Sequence, residues 1–491
     1  MAHPAPAPHR STGRPELRRR GPARAVALAA AAGGALRRQP AGAWLIAGAV
    51  TALYCAYSTA QWHRLESPSW DLGIFTQLAK AYAGFDAPIV PIKGASFNLL
   101  GDHFHPLLVL LGPVYALFPS AFALLVVQNL LFGLSVFVVA RTGLRELGRA
   151  GGTAVGLAYG LSWGLQAAAA AQFHEIAFAV PLLALSCEAL IRRRLAAAVA
   201  WGALLVFVKE DLGLTVIALG LVIALRFRHA AGLWLAVWGA LWLLLSVRVI
   251  LPGLNSAGSY DYAGRVDAEA MVADPLQAAA DFFSGAPKYE TALLLLVAGG
   301  VVFLRSPLAL VLVPTLLWRF ASTEVGYWGP GWHYSAVLMP VLFLALIDAA
   351  ARLRRSGRTL PRVLAGAGCA CAAAAALALL PGQSLAELAD PETYRQSPRW
   401  DAAHRLIEAV PRGASVETGV GLMAYLVPRS EVYWIGNTNP APDFLLVDAE
   451  DWSWGTTPPA DAEAHAEETY PGTAYTLVFA EDGYQLVERT G

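Results

Sequence analysis

Between Ala43 and Leu380 the chain is a succession of apolar runs separated by short polar or charged breaks, and this pattern leaves few folds open. An α-helix needs about 20 mostly apolar residues to cross the ~30 Å of hydrocarbon in a bilayer. The runs read as spans are Ala43–Gln61, Ser120–Ala140, Gly152–Ala171, Ile176–Ile191, Leu195–Val208, Leu212–Leu225, Ala230–Ile250, Thr291–Leu304, Pro307–Phe320, Tyr334–Ala350 and Val363–Leu380. An all-α polytopic membrane domain of about eleven helices is therefore predicted. Composition agrees: 15% of the residues are charged, where soluble domains carry about 25%.

The stretch from Leu195 to Leu225 is too long for one span and short for two, with Lys209, Glu210 and Asp211 at its centre. Charge decides the reading, because Lys and Arg accumulate on cytoplasmic loops. With a cytoplasmic N-terminus and a hairpin at Lys209, the clusters Arg141/Arg145/Arg149, Arg192–Arg194, Arg226/Arg228 and Arg352–Arg362 all fall inside. Residues 1–40, rich in Pro, Ala and Arg, read as a disordered basic cytoplasmic arm; Arg37 and Arg38 stand where a signal peptide would need a cleavage site. The expected location is a bacterial cell membrane, with the C-terminal region extracytoplasmic.

Basic and acidic residues balance at 36 each, which gives no support to a nucleic-acid partner. The balance conceals an acidic tail. Residues 382–491 carry 18 acidic and 6 basic groups. The four cysteines lie in apolar runs without metal-ligand spacing, so free thiols are expected.

The same topology gathers the polar motifs on the outer face. The long first outer loop, residues 62–119, contains W-D-L-G-I-F-T-Q (Trp70–Gln77) and G-D-H-F-H-P (Gly101–Pro106). Asp71 among apolar neighbours predicts the start of an amphipathic helix against the bilayer, where desolvation would raise its pKa and make it a better general base. A helix-capping role is the alternative. Asp102, His103 and His105 put a carboxylate and two imidazoles within four residues, a set able to bind a divalent metal or relay protons. His174 and Glu175 follow at the next outer turn, then Lys209, Glu210 and Asp211, and ionisable groups at membrane depth tend to pair or line a polar cavity. Arg248 and Arg319 near the outer ends of their spans suit a phosphate, or else snorkel to lipid. His333 and Tyr334 open the tenth span. No phosphate-binding loop, dinucleotide fingerprint or zinc-protease motif stands in a convincing context.

These motifs, D-L-G-I-F-x-Q, D-H-F-x-P, F-H-E, K-E-D-x-G-L and a later H-Y, resemble in order and spacing a bacterial family of polytopic membrane proteins of unknown function. The resemblance runs from about Ala43 to Leu486. That family in turn is similar to the GT-C glycosyltransferases. What the resemblance implies is transfer of a sugar, with inversion, from a polyprenyl-phosphate donor to a cell-envelope acceptor on the outer face. Asp71 would take the place of the first-loop acid that deprotonates the acceptor or holds a metal such as Mg or Mn, with Asp102 as a second acid. Many GT-C members have two adjacent acids, whereas Leu72 follows Asp71. Lys209, Arg248 and Arg319 would face the donor phosphate. Trp70, Gln77, His174, Glu175, Glu210, Asp211, His333 and Tyr334 complete the expected substrate site, with His103 and His105 as metal ligands.

After residue 381 the pattern changes. Ser397–Val410 predicts an amphipathic helix, and Ala414–Glu417, Glu431–Ile435, Phe444–Asp448, Tyr475–Phe479 and Tyr484–Val487 predict strands, the last two joined by a turn at Glu481-Asp482-Gly483. A small extracytoplasmic α/β domain is expected over residues 382–491. Two other functions fit the composition: a non-catalytic scaffold presenting the acidic domain, and a transporter. The absence of an internal repeat counts against the transporter.

Overall fold

In a computed structural model the protein is described over residues 39–455 and 457–490. The basic arm, apart from its last two residues, lies outside the described residues. Among the described residues, four helical stretches are long and apolar enough to cross a membrane: Ala41–His63, Ala121–Ala170, Ala230–Leu254 and Thr359–Gly382. Shorter apolar helices include Leu195–Phe207, Leu212–Phe227 and Pro307–Ala321. Helical segments occupy each region read as a span, but several are short or broken, and eleven full crossings remain an expectation.

Breaks in the helices are tied to particular residues. The helix Ala121–Gly160 is interrupted at Gly148, where φ is 77°, a left-handed conformation that glycine adopts at little cost. The chain doubles back there. A Cβ on Gly152 would lie 2.3 Å from the Leu144 backbone nitrogen, and one on Gly156 would lie 2.9 Å from the Ala140 Cβ. The Arg-rich turn 141–149 thus joins two antiparallel helices. Leu212–Phe227 and Ala230–Leu245 form a second tight pair. Cβ atoms built on Gly220 and Gly232 would stand 2.5 Å and 2.4 Å from backbone atoms of the facing helix. Small residues let helices approach closely where lipid supplies no hydrophobic drive.

The first loop is not an open excursion. Its helix Asp71–Ala83 buries Leu72 to Ala79 without interruption, so the expectation that it presses against lipid is corrected: protein covers it. Gly73 lies beneath Met423 of the C-terminal region, where a Cβ would come within 2.8 Å of the Met423 side chain.

The C-terminal region forms a five-stranded sheet in which the first strand lies between the second and third, and the fifth between the third and fourth. Its strands are β1 (Ser415–Thr418), β2 (Glu431–Trp434), β3 (Phe444–Asp448), β4 (Tyr475–Glu481) and β5 (Tyr484–Arg489). β1 runs parallel to β2 and β3, and β5 runs antiparallel to β3 and β4. The central β3 is buried at every residue, as its continuous apolar sequence requires. Asp482 and Gly483, at φ 46° and 79°, make the hairpin turn. The helix Trp400–Ala409 packs through Ala402, Ala403, Leu406 and Ile407. All four cysteines are free thiols.

This sheet is fastened to the first loop by polar contacts. Gln77 Nε2 donates to the Val432 carbonyl at 2.9 Å, and Lys80 Nζ donates to the carbonyls of Val427 and Ser430 at 2.7 Å and 2.9 Å. Tyr425 stacks on Trp62 with centroids 3.9 Å apart, and Trp70 meets Trp434 edge-on at 4.6 Å.

Candidate functional site

The loops joining the helices enclose a cavity of about 410 Å³. Asp71 reaches it as the first residue of its helix, where the positive end of the helix dipole favours a carboxylate by about 0.3–1 kcal/mol. It is not a capping residue, since the cap position is Trp70 and no side-chain cap bond forms. Gly101 allows the D-H-F-H segment to tuck under the chain at Leu254 and Asn255, whose backbone atoms would be 2.6–2.7 Å from a Cβ there. This close approach brings Tyr262, from the loop after Asn255, over His103 and Asp102, and Tyr260 onto Glu210. Lys209, Glu210 and Asp211 interrupt the helical path between Phe207 and Leu212 and project into the same space.

The charged groups are arranged as pairs. His174 Nε2 lies 3.4 Å from Asp71 Oδ2. Lys209 Nζ lies 2.7 Å from Glu175 Oε1. His103 Nδ1 lies 2.8 Å from Glu210 Oε1, and Glu210 also accepts from the Phe104 amide and the Tyr260 hydroxyl, each at 2.9 Å. Lys93 Nζ lies 3.4 Å from Asp102 Oδ2, while Tyr262 donates to Asp102 Oδ1 at 3.2 Å. Removing ions from water costs several kcal/mol each, so four such pairs are poor material for stability alone. Their gathering in one cavity makes it the candidate functional site.

Partners set the protonation states. His174 Nδ1 faces the Gln172 carbonyl at 3.2 Å; a carbonyl only accepts, so Nδ1 carries a proton. Burial opposes charging of His174, but Asp71 and Glu175 outweigh it and raise its pKa. Burial likewise opposes ionisation of Asp71, yet the charge and hydrogen bond of His174 bring it down to about 2. The expectation that desolvation would raise Asp71 is thereby reversed. Glu175 and Glu210 are held below the usual carboxylate range, against burial, chiefly by Lys209 and His103 respectively. Burial lowers His333 well below its ordinary value, helped by His174, on which it stacks at 3.7 Å.

Asp211 differs from these acids. Its Oδ1 is buried without a hydrogen-bond partner. Burial, only partly offset by Lys209, pushes its pKa up to about 6. Among the acids lining the cavity it is the one poised to exchange a proton near neutrality.

Trp70, His105 and Tyr334 join these residues in the cavity wall. Gln77 does not: its amide bridges Val432 and the Ile92 backbone. Arg319 is also elsewhere, fully buried, donating to the carbonyls of Tyr327 and Gly329 at 2.7 Å each and to Ser335 Oγ at 3.0 Å. Arg248 is exposed on a π-helical turn, Ser246–Ile250, outside the lining. Sequence reasoning missed Lys93, Tyr260, Tyr262 and Arg265, all in the wall. One signal was present: only four lysines occur in a chain whose other cations are arginines, and two of them, Lys93 and Lys209, line this cavity.

A divalent metal held by His103 and His105 stays an expectation. His103 Nδ1 meets Glu210, burial pushes His105 down to about 4, and Asp71, Asp102 and Glu175 each face a protein cation.

A helical body with broken apolar helices, a charged cavity walled by its first long loop, and a terminal sheet closing over that loop make up a membrane protein. The fold is similar to that of ArnT from Cupriavidus metallidurans, crystallised bound to undecaprenyl phosphate. The match has a TM-score of 0.53 at 13% identity and covers 90% of this chain and 97% of that one. No curated protein matches the chain in sequence. Residues 61–486 match the model of a family described as predicted membrane protein (DUF2079), and the chain belongs to that family.

Proposed function

We propose that this protein transfers a sugar from a polyprenyl-phosphate donor to a cell-envelope acceptor at the extracytoplasmic surface. The observation that carries the reading is the meeting of Asp71 and Lys209 in the wall of one cavity, within a fold shared with a protein crystallised with undecaprenyl phosphate. The donor phosphate enters beside Lys209, with Lys93 and His103 nearby. The acceptor hydroxyl attacks the anomeric carbon from the side opposite the phosphate. As the new C–O bond forms, the bond to phosphate breaks, and the departing polyprenyl phosphate takes its negative charge into the field of Lys209. In an oxocarbenium-like transition state the acceptor proton is released late. Asp71, ionised throughout the physiological range, receives it, and Asp211 is the second acid able to do so.

The test is binding of decaprenyl phosphate to detergent-purified full-length protein, followed by turnover with polyprenyl-phosphate sugars. Saturable binding weakened at least tenfold by Lys209→Ala, with turnover lost in Asp71→Asn, is expected. A folded wild type that binds neither decaprenyl phosphate nor its sugar derivatives overturns the reading.

A further inference from the structure

Asp71 and His174 form part of a second cavity as well. A chamber of about 330 Å³ lies on the side facing the C-terminal sheet, and Asp71, His174, His333 and Tyr334 line both spaces. Its outer wall is aromatic: Trp332 from the turn before the tenth predicted span, Trp434 from the end of β2, and Trp452 from the loop after β3. This chamber therefore exists only because the sheet docks on the first loop.

Three features separate this wall from ordinary packing. Trp332 and Trp452 are 44% and 62% exposed, so two of the largest apolar side chains are left uncovered beside charged groups. Trp332 is held at φ 60°, a conformation unfavourable for a bulky residue and one that tends to mark binding sites. Two buried nitrogens in the lining, Trp434 Nε1 and His333 Nδ1, have no hydrogen-bond partner, whereas buried polar atoms nearly always have one. Ser69 and Ser453 add hydroxyls whose oxygens accept from the Asp71 and Val420 amides, at 3.4 Å and 3.1 Å.

Flat aromatic faces combined with scattered hydroxyl, indole and imidazole groups match the two surfaces of a sugar ring, its axial C–H face and its equatorial hydroxyls. The volume is at the small end of the roughly 300–1,000 Å³ found for small-molecule sites, suited to one or two sugar rings and too small for a protein surface. We propose that this chamber is a carbohydrate acceptor subsite, holding a sugar ring against Trp332 and Trp452 with one hydroxyl directed at Asp71. The proposal rests on the glycosyl-transfer reading above: donor and acceptor approach the Asp71–His174 wall from opposite sides.

The experiment is saturation-transfer NMR on the full-length protein in detergent, with methyl glycosides of glucose, galactose, mannose and arabinose as probes and decaprenyl phosphate binding measured in parallel. At least one glycoside is expected to receive saturation at its ring C–H protons. That signal should fall at least fivefold in Trp332→Ala and Trp452→Ala and be largely retained in Trp452→Phe, with decaprenyl phosphate affinity unchanged. No saturation of any glycoside, or saturation indifferent to both tryptophans, overturns the subsite. Loss of decaprenyl phosphate binding in the tryptophan variants overturns it in favour of a lipid site. Tryptophan-dependent glycoside binding in a protein that binds no polyprenyl phosphate supports the subsite and overturns the transfer reading instead.

Discussion

The imidazole of His174 lies 3.4 Å from the carboxylate of Asp71, and this pairing fixes the charge on both. Folding raises the His174 pKa above its reference of 6.5 and lowers that of Asp71 from 3.8 to about 2. The sign for each follows from linkage. The His174 contribution to stability is complete below pH 6.5 and is lost as pH rises through its raised folded value. The Asp71 contribution is complete above pH 3.8 and is lost as pH falls through about 2. Their common plateau is therefore about pH 4 to 6.5. Thermal unfolding in detergent should show wild type losing stability above that window more steeply than His174→Gln. Parallel curves for the two proteins would refute the pairing.

Asp211 has the opposite sign. Its folded pKa is raised from 3.8 to about 6, so the folded state binds the proton better than the unfolded chain does. Stability should decline as pH rises through that interval. Asp211→Asn should unfold at a higher temperature than wild type at pH 7.5 and at the same temperature below about pH 4. If Asp211 takes part in turnover, the variant also loses the limb of the pH–rate profile near pH 6. A variant less stable than wild type at pH 7.5 would mean that Asp211 has a partner after all.

Arg319 separates a structural cation from a ligand-binding one. Its donors are spent on Tyr327, Gly329 and Ser335. Removing it strands buried acceptors at about 1–3 kcal/mol each. Arg319→Gln should therefore lower thermal stability by several degrees and leave the decaprenyl phosphate affinity of the folded fraction within about twofold. Arg319→Lys, which cannot reproduce the planar fork, should rescue little. An unaltered melting temperature with lost affinity would return Arg319 to the donor site.

Much of the site was readable along the chain because charge is so costly at membrane depth that each such group needs a reason. The first-loop motifs around Asp71, Asp102 and His103, with His174-Glu175 and Lys209-Glu210-Asp211, all reach one cavity. Arg319 and Gln77 obeyed the same sequence rule but satisfy backbone carbonyls instead. No local pattern distinguishes a guanidinium aimed at a ligand from one aimed at its own loop. Lys93, Tyr260 and Tyr262 were overlooked because nothing in their neighbouring residues announces the partners that a distant segment brings to them.

The succession of apolar runs and the strands of the terminal sheet, including its Asp482-Gly483 turn, could be read along the chain. These follow from hydrophobic period and backbone sterics, which act over a few residues. Who pairs with whom came only from the packing: His174 holds Asp71 ionised, Asp211 Oδ1 is left without a hydrogen-bond partner, and the sheet covers the first loop and creates a second chamber. A pKa depends on burial and on charges a few ångströms away, and those neighbours lie tens to hundreds of residues apart in the chain.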